Sequence, residues 1–505
     1  MLLGIDIGTS SVKAVLFDPE RDPVDALRAA AGREYPTHHP TPERAEQNPD
    51  DWWQATIDAV QQVLHDAGQP VVRAIGLCGQ MHGVTLLDAQ HQPLAPSIIW
   101  ADQRSSAETQ ALIERFGAEN FAHIAGTLPA AGFMVSTLAW LKKHDPALLD
   151  AARAVILPKD YVRLKLTGNV ATDISDAAAT GVFDVLTKTW SPEIIREIDL
   201  PRTLFPNALE STAVAGTLTA SAAAALGLPA GIPVAAGCAD QPAQALANGL
   251  IAPGKASVTI GSGGQVFTAV LPTQNGQLAL KTDPRLHVFN HAVPGMWYIL
   301  GAILAAGLSL RWLRNLFGTD YPTLSAEAAA VPVGANGLIF LPYLSGERTP
   351  HMDAHARGVF VGLTHYHGRG HMARAIMEGV AFALRDALDI SLSLGGQVEQ
   401  IIAAGGGSTS AVWRGICADV FGVPLQPTLL TESTGIGAAL LGGIGTGVYP
   451  NIQAAAATAR YGDLTEPDAV RQTQYAELYQ LYQSLYPQLR GTFHRLAALT
   501  LKHSA

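Results

Sequence analysis

Two segments far apart in the chain share one pattern: an apolar strand, a turn of glycine and hydroxyl residues, and an apolar return strand. The first is LLGIDIGTSSVKAVLFD at residues 2–18, and the second is ASVTIGSGGQVFTAV at residues 256–270. Short apolar runs on either side of a glycine turn are typical of a β-hairpin. Two hairpins of one design predict a duplicated fold built from two related domains.

The length of the chain agrees with a duplication. At 505 residues it is too long for one ordinary hydrophobic core. Strand-like and helical runs alternate along it, which indicates an α/β fold. Residues 231–249, GIPVAAGCADQPAQALANG, predict a buried strand followed at Asp240 by a small-residue helix, and IAPGK then forms a connector. We therefore place the domain limits at 1–248 and 249–505.

Composition excludes several classes of partner. The formal net charge of −10 and the lack of a Lys/Arg stripe argue against a nucleic-acid or anionic-membrane surface. The N-terminus lacks the basic flank of a signal peptide, and three widely spaced cysteines in apolar runs favour a reducing, cytoplasmic compartment. The uncharged segment 292–310 is interrupted by Pro and Gly, so it predicts a buried helix rather than a membrane span.

The two hairpin turns are candidates for binding phosphate. Gly and hydroxyl residues such as Thr9 and Ser10 can present amide and hydroxyl groups to phosphate oxygens, with Lys13 on the return strand. A carboxylate on the strand before the turn, Asp6, can hold hydrated Mg²⁺. Either turn alone could belong to an ordinary hairpin. The two turns together, the first after Asp6 and the second at residues 261–264, favour a phosphate clamp.

Asp240 is the candidate general base. Phosphoryl transfer to an alcohol requires a carboxylate that accepts the hydroxyl proton. Asp240 begins a predicted helix with Pro242 in its first turn, and the helix N-terminus is expected to help keep the carboxylate ionised. Asp is also a common helix cap, so a purely structural role stays open at this point.

Polar residues after two further strands are candidates for binding a small polar ligand. Gln80, Met81 and His82 form a glycine-flanked turn. Trp100 ends the apolar run SIIW, and Asp102 follows two residues later. Structural roles explain both groups equally well. In AAGGGSTSAVW, glycines between a strand and a helix allow the backbone to approach a base or a phosphate, although a tight turn needs them too.

The chain resembles the FGGY family of carbohydrate kinases over nearly its whole length, and within it the members that act on xylulose. The resemblance is carried by several segments: IDIGTSSVK, GQMHGVTLLD, IIWADQRS, LPKDYVRLKLTG, TDISDAA, AAGGGSTSAVW, and the long run FLPYLSGERTPHMDAHARGVFVGLTHYHGRGHMARAIMEG, whose part from Gly358 through Glu378 carries the second family signature in full. It implies an α/β fold of two ribonuclease-H-like (actin/hexokinase-like) domains, an active-site cleft between them that closes on the sugar, and transfer of phosphate from ATP with Mg²⁺ to D-xylulose.

The resemblance also implies residue roles. Asp240 is the expected catalytic base. The residues expected to bind the sugar are Gln80, Met81, His82, Trp100, Asp102, Asp240 and Gln241. The residues expected to bind the nucleotide are Thr9, Ser10, Lys13, Gly261, Ser262, Gly263, Gly307, Gly405, Gly406 and Ser410. Asp6 and Asp240 are expected to hold Mg²⁺ through water. A homodimer is also implied.

The chain departs from the family pattern near the expected sugar. Gln241 and Pro242 follow Asp240 where xylulose-specific members usually have Asn, Ser262 and Gly263 replace Thr-Ser, and Thr137 stands where Lys is usual. Another ketopentose, such as ribulose or L-xylulose, or a pentitol therefore stays an alternative substrate. Two further alternatives are a catalytically weak sugar sensor on the same fold, and an actin-like or heat-shock-type ATPase without a sugar pocket.

Overall fold

The computed structural model describes residues 1–274, 277–278 and 280–503. The main strands of its two large sheets are β1 (Leu2–Ile7), β2 (Ser11–Phe17), β3 (Leu27–Glu34), β4 (Ala74–Gly79), β5 (Val214–Thr217), β6 (Pro233–Ala235), β7 (Cys238–Ala239), β8 (Gly254–Ile260), β9 (Gly264–Val270), β10 (Trp297–Ile303), β11 (Val398–Ala404) and β12 (Leu425–Pro427). Shorter strands are Glu46–Gln47, Thr85–Leu87, Ser97–Ile98, Ala154–Ile156, Thr172–Asp173, Phe183–Asp184, Thr189–Trp190, Ala208–Leu209, Thr273–Gln274, Gln277–Leu278, His287–Asn290, Ile339–Leu341 and Val359–Val361.

The helices are α1 (Pro49–Asp66), α2 (Ser106–Phe116), α3 (Ala118–Ala125), α4 (Met134–His144), α5 (Pro146–Ala151), α6 (Pro158–Thr167), α7 (Ile174–Ala178), α8 (Pro192–Glu197), α9 (Ala220–Leu226), α10 (Asp240–Ala247), α11 (Gly307–Phe317), α12 (Tyr321–Ala329), α13 (Arg369–Ser393), α14 (Ala411–Phe421), α15 (Ser433–Gly445), α16 (Ile452–Ala456) and α17 (Ala469–His503). Single 3₁₀ turns occur at Arg202–Leu204, Val333–Asn336 and Gly406–Thr409.

The chain divides into two compact units that each combine several segments. The first unit comprises residues 1–251, 271–298 and 430–460, and the second comprises 252–270, 299–429 and 461–505. Each unit has its own hydrophobic core. The limits inferred from the sequence, 1–248 and 249–505, stay a prediction.

The sheet of the first unit has the order β5-β6-β4-β1-β2-β3, and β7 also pairs with β4. The hairpin of β1 and β2 is antiparallel, with Asp6 opposite Lys13, and β4 runs parallel to β1. Helix α15 lies so close to this sheet that a Cβ at Gly4 would be 1.9 Å from the carbonyl oxygen of Gly435. A Cβ at Gly76 would be 1.8 Å from that of Ala438. Both strand positions therefore require glycine.

The second unit repeats this local arrangement. Strands β8 and β9 form an antiparallel hairpin, and β11 runs parallel to β8 and to β12. In the sheet these strands follow one another in the order β10-β9-β8-β11-β12. Its core includes the long helix α13 and residues of α14 and α17. The predicted α/β duplication, with a glycine-rich hairpin in each half, is confirmed.

One predicted element is wrong. The segment 292–310 was expected to form a buried helix, but residues Trp297–Ile303 form strand β10 and a helix starts only at Gly307. The β-branched and aromatic residues of WYILGAI favour a strand, and Gly301 weakens a helix. Within residues 1–274, 277–278 and 280–503, no helix has both the length and the apolar character required to cross a membrane. All three cysteines are buried and unpaired.

Candidate active site

Asp6 lies at the end of β1, where the first hairpin approaches its turn. The residue is buried, and its Oδ2 accepts a hydrogen bond of 2.6 Å from Thr434 Oγ1 in α15. Oδ1 is buried and has no hydrogen-bond partner among the described residues. Burial raises the pKa of Asp6, and the hydrogen bond from Thr434 opposes that shift. One oxygen of the carboxylate is thus fixed and the other is left for a ligand.

Asp240 is the first residue of α10, and Ala239 occupies the capping position before it. The predicted helix start is confirmed. Its Oδ1 is buried and has no hydrogen-bond partner in the described chain. This oxygen is therefore not engaged in capping the helix, which is the structural role that the sequence left open.

The pKa of Asp240 depends on more than the start of α10. Burial first, and the negative charge of Asp6 second, raise the pKa of Asp240 to about 7. Gln241 and the amides of the first helical turn act in the opposite direction. The amides of the helix start lower the pKa as expected, but desolvation and the like charge of Asp6 outweigh them. A carboxylate with a pKa near 7 suits a general base at neutral pH.

The two carboxylates have the chemistry of a magnesium site. Mg²⁺ prefers oxygen ligands, keeps several of its waters, and is usually bound by one or two carboxylates together with substrate phosphates. Asp6 and Asp240 each offer a buried oxygen without a partner in the described residues, and the charge of one raises the pKa of the other. A divalent cation would relieve both effects, so these residues fit the expected ion.

The first hairpin turn is tied to the predicted sugar-binding residues. Trp100 Nε1 donates to Thr9 Oγ1 at 2.9 Å, and Gln47 Nε2 donates to the carbonyl oxygen of Thr9 at 2.7 Å. Gln80 Nε2 in turn donates to Gln47 Oε1 at 2.9 Å. The structure thus brings together Thr9, Gln80 and Trp100. Gln80 Oε1 is buried without a partner among the described residues.

Met81 and His82 follow β4 in a tight turn. Met81 is buried, and His82 has a φ of 73°, which side-chain-bearing residues rarely adopt. The His82 ring stacks on Phe133 with a centroid separation of 3.8 Å, and its Nδ1 lies 2.6 Å from the carbonyl oxygen of Ala179. Strained backbone held by packing is frequent at ligand sites. The ring is therefore held in one orientation.

Asp102 is placed differently from what a sugar ligand requires. It is completely buried, and its Oδ2 accepts from the Ala45 amide at 2.7 Å. Arg104 binds the carboxylate with Nε and Nη2 at 2.9 and 2.8 Å and also reaches Glu46. This geometry favours the structural role for Asp102.

Two further predicted residues lie at the edge of the first hairpin. Lys13 Nζ is 3.0 Å from Glu432 Oε2, and the side chains of this pair are 46% and 24% exposed, so an incoming anion can compete for the lysine. Ser10 is exposed at the tip of the turn. Glu432 and Thr434 were missed by sequence reasoning. The signal for them is the Gly/Ala-rich run STGIGAALLGG, whose small residues permit close packing on a sheet.

The second unit contains a cavity of about 430 Å³ beside its hairpin turn. It is lined by Ile260, Gly261, Ser262, Gly307, Leu310, Arg311, Tyr321, Ser325, Met377, Gly406, Gly407, Thr409, Ser410 and Trp413. The predicted nucleotide residues among these are Gly261, Ser262, Gly307, Gly406 and Ser410. Gly263 and Gly405 lie next to the lining residues. Sequence reasoning missed the helix residues of this wall, such as Arg311 and Tyr321, because nothing in an amphipathic pattern marks a side chain that faces a ligand.

The hairpin turn of this cavity is held by the start of α11. The amides of Ala306 and Leu308 donate to the Ser262 carbonyl at 3.0 Å, and the Gly307 amide donates to the Gly261 carbonyl at 2.8 Å. A Cβ at Gly263 would lie 2.8 Å from the Ile303 carbonyl oxygen. The close approach of Ile303 explains why this chain has glycine at 263.

Ser410 starts α14 and its hydroxyl is already engaged. Its Oγ accepts from the Trp413 amide at 3.3 Å and lies 2.6 Å from Ser325 Oγ. Gly406, in contrast, has open space on the side where a Cβ would project. A cavity of this volume, walled by a glycine turn, an aromatic ring and a helix start, has the character of a cofactor pocket.

Family models match both parts of the chain. The N-terminal domain model of the FGGY family of carbohydrate kinases matches residues 1–247, and the C-terminal domain model of that family matches residues 256–446. A xylulose kinase of Escherichia coli (strain K12) is 36% identical over 491 residues, covering 97% of this chain and 99% of that protein.

Solved structures give the same result. A crystal structure of a "xyloylose kinase" from Brucella ovis is 35% identical and superposes with a TM-score of 0.90 over 97% of this chain and 99% of that one. A crystal structure of a xylulose kinase from Rhodospirillum rubrum is 33% identical, with a TM-score of 0.90 over 98% and 99% of the two chains.

Proposed function

Because the chain belongs to the FGGY family of carbohydrate kinases, we propose that it transfers the γ-phosphoryl group of ATP to D-xylulose and releases ADP and D-xylulose 5-phosphate. It is a carbohydrate kinase that uses ATP and Mg²⁺. The choice of xylulose is supported by the xylulose kinases among its relatives, which it matches over nearly the full length of both chains. Gln241 and Pro242 keep another ketopentose or a pentitol as the alternative acceptor.

The proposal depends most on Asp240. Its buried Oδ1 has no partner in the described chain, so this oxygen is available to accept the proton of the sugar hydroxyl. In the proposed reaction Asp240 takes the proton from the sugar hydroxyl as the oxygen attacks phosphorus, and the O–P bond to ADP breaks. Asp6 keeps its orientation through Thr434 and offers its second oxygen to hydrated Mg²⁺. When bound, Mg²⁺ offsets the negative charge of the phosphate oxygens.

The remaining roles follow the same division. We propose that the sugar is bound by Gln80, Met81, His82, Trp100 and Gln241, while Asp102 supports this region through Arg104. For ATP we propose the first hairpin turn with Thr9, Ser10 and Lys13, and the residues at the cavity of the second unit, Gly261, Ser262, Gly263, Gly307, Gly405, Gly406 and Ser410. Backbone amides at such turns bind phosphate without a net positive surface.

Domain limits, location and assembly are part of the proposal. Residues 1–248 would carry the sugar site and Asp240, and 249–505 the cavity for the nucleotide. We also propose a cytoplasmic location, for which the three cysteines in apolar runs argue, and a homodimer, which rests on the family resemblance. Equilibrium sedimentation tests the assembly, and a monomer at micromolar concentration would contradict it.

A coupled assay of ADP release tests the function. The acceptors are D-xylulose, L-xylulose, both ribuloses, glycerol and several pentitols, and the highest kcat/KM is expected for D-xylulose. A higher value for a pentitol would make the alternative acceptor the correct one. ATP hydrolysis that does not depend on sugar would contradict the kinase, and tight sugar binding without turnover would indicate a sensor.

The same assay tests the base. In Asp240→Asn, kcat is expected to fall about 10²- to 10⁴-fold, while the sugar still binds within a few-fold of the native affinity. The matched control is Asp145→Asn, at a carboxylate that caps α5 in the same unit. Native rates in Asp240→Asn would remove Asp240 from the mechanism.

A further inference from the structure

A cluster of charged side chains lies completely inside the first unit and has no role in the chemistry described above. Lys159 Nζ is 2.6 Å from Asp160 Oδ1 and 3.0 Å from Asp173 Oδ1, and Arg163 Nη2 is 3.1 Å from Asp160 Oδ1. These side chains are 0% exposed. Buried ion pairs are often no better for stability than apolar residues of similar size. Their presence therefore calls for another reason.

The cluster reaches the backbone that leads to Asp240. Arg163 Nη1 donates to the carbonyl oxygen of Ala236 at 2.8 Å, and Lys159 Nζ approaches the same oxygen at 3.5 Å. These two side chains belong to α6, while Ala236 follows β6. The near end of the segment 236–239 is thus held by two buried cations.

Ser175 holds the far end of the same segment. Its Oγ accepts a hydrogen bond from the amide of Ala239 at 3.2 Å and donates to Asp173 Oδ2 at 2.6 Å. Asp173 Oδ2 also accepts from Ser211 Oγ at 2.8 Å, so its position is fixed from a second side. Ala239 caps α10, and Asp240 is the next residue. A single serine therefore links the ionic cluster to the start of the helix that carries the base.

Opposite charges meet at several points inside the cluster. Burial raises the pKa of Asp176 well above its ordinary value. Although burial also acts on Asp160, the charges of Lys159 and Arg163 hold its pKa below the usual range. Lys159 Nζ also lies 3.7 Å from Asp176 Oδ2. A buried cluster in which two basic side chains contact acidic ones on several sides can serve as a rigid support.

We propose that Ser175, anchored by Asp173 and Lys159, is a positioning residue that fixes the backbone at Ala239 and thereby the place of the Asp240 carboxylate. The inference rests on the proposed role of Asp240. It extends that role to residues that touch neither sugar nor nucleotide. Misplacement of a reacting group by about 1 Å can lower a rate by about 10²-fold, so one hydrogen bond at this position is sufficient to affect turnover.

Ser175→Ala is the first test. We expect kcat to fall about 10- to 100-fold, with KM for ATP and for the sugar within about threefold of native values. Ser136→Ala is the matched control, because this serine is equally buried in the first unit and its hydroxyl has no partner in the described chain. Ser175→Thr keeps a hydroxyl and should restore most of the lost kcat. Native kcat in Ser175→Ala would overturn the inference, and so would a loss that Thr does not restore.

A double-mutant cycle separates positioning from general destabilisation. In the Asp240→Asn background, Ser175→Ala should change the residual kcat by less than about twofold, because residues that act as one unit are not additive. A full, additive effect in that background would overturn the inference. If Ser175→Ala does not fold, Asp173→Asn, which keeps the shape of the side chain, replaces it in the same cycle with the same criteria.

The cycle also distinguishes the two proposals. An impaired Asp240→Asn with an unaffected Ser175→Ala overturns the positioning role alone. A fully active Asp240→Asn overturns the proposed base, and the positioning role with it.

Discussion

Thr434 donates its hydroxyl hydrogen to Oδ2 of Asp6 at 2.6 Å, although 428 positions separate the two residues in the chain. The bond engages Oδ2 of Asp6. Oδ1 has no hydrogen-bond partner among the described residues, so it is the oxygen that remains available to a ligand. A hydrogen bond to a ligating carboxylate sets both its orientation and its charge distribution. The start of α15 therefore contributes to the magnesium site that we propose for β1.

Replacing Thr434 tests this contribution. Thr434→Val keeps the shape of the side chain but leaves a buried carboxylate oxygen unsatisfied. We expect the Mg²⁺ concentration for half-maximal rate to rise about 10-fold, the lower end of the effect usual for such outer partners. The measurement is a Mg²⁺ titration of the initial rate at saturating ATP and sugar.

Thr446→Val is the control for this change. Thr446 follows the last residue of the same helix, and its hydroxyl donates to carbonyl oxygens of that helix, the nearer being Gly442 at 2.9 Å. In Thr446→Val the Mg²⁺ concentration for half-maximal rate should stay at the native value. An equal shift in both variants would attribute the effect to the helix as a whole.

Two neighbouring glycines of the second unit should respond in opposite ways to alanine. Gly406 lines the cavity, and beyond its chain neighbours no described atom lies within 4 Å of the position that a Cβ would take there. Gly406→Ala should therefore leave stability unchanged and raise KM for ATP about 10-fold. Gly405 has a φ of 81°, and a Cβ there would lie 2.7 Å from the Ile260 carbonyl oxygen. Gly405→Ala should lower the free energy of unfolding by about 1–3 kcal/mol.

Gly415→Ala is the control for both glycines. It lies inside α14 with open space around a Cβ, so alanine should add about 0.5–1 kcal/mol to stability with native KM for ATP. Native KM in Gly406→Ala would exclude the proposed approach of the nucleotide to this turn.

Glu347 makes the second unit sensitive to pH. Burial raises the pKa of Glu347 to about 8, while its Oε1 accepts from the amides of Leu304 and Arg348 at 2.9 and 2.8 Å. The ordinary pKa of a glutamate is 4.5, so above this pH the unfolded chain releases the proton of Glu347 while the native state keeps it. Stability is lost as the pH rises from 4.5 towards 8.

Glu347→Gln removes this titration and keeps an acceptor for both amides. The variant should melt at a higher temperature than the native protein by a margin that grows between pH 5 and 8. Glu327→Gln is the control, because Arg369 lowers the pKa of Glu327 and its charge is constant over this range. A margin for Glu347→Gln that does not change with pH would contradict a protonated Glu347.

Asp102→Asn separates structure from sugar binding. Because the substitution breaks a buried bidentate ion pair with Arg104, the free energy of unfolding should fall by about 3 kcal/mol. KM for the sugar should change by less than threefold. Denaturant unfolding and steady-state kinetics give the two values, with Asp58→Asn at a partly exposed position of α1 as control. Unchanged stability with a large rise in KM would place Asp102 in the sugar site.

Local patterns made much of this molecule predictable. Three kinds of element depend on only about twenty consecutive residues each, so periodicity and turn residues suffice to predict them. They are the two hairpins, the helix that starts at Asp240 and the glycine turn after β11. The prediction for segment 292–310 was wrong because composition alone does not distinguish a buried strand from a buried helix.

Long-range partners were not predictable in this way. Thr434 orients Asp6 and Ser175 holds Ala239, but neither contact follows from sequence spacing. The pKa of Asp240 also depends on burial and on a carboxylate 234 positions earlier in the chain, and these outweigh the local effect of the helix start. The bonds from Arg104 and the Ala45 amide to the oxygens of Asp102 were likewise not predictable from spacing, and the sugar-binding role of Asp102 stays a prediction.

The interleaving of the two units has a consequence for biosynthesis. Residues 430–460 belong to the first unit, and their helix α15 covers Gly4 and Gly76 at backbone distance. During translation that face of the first sheet stays uncovered until most of the second unit has left the ribosome. The N-terminal part made alone would present bare β1 and β4 to solvent and to chaperones, so a piece of the chain that ends before α15 lacks part of the first unit.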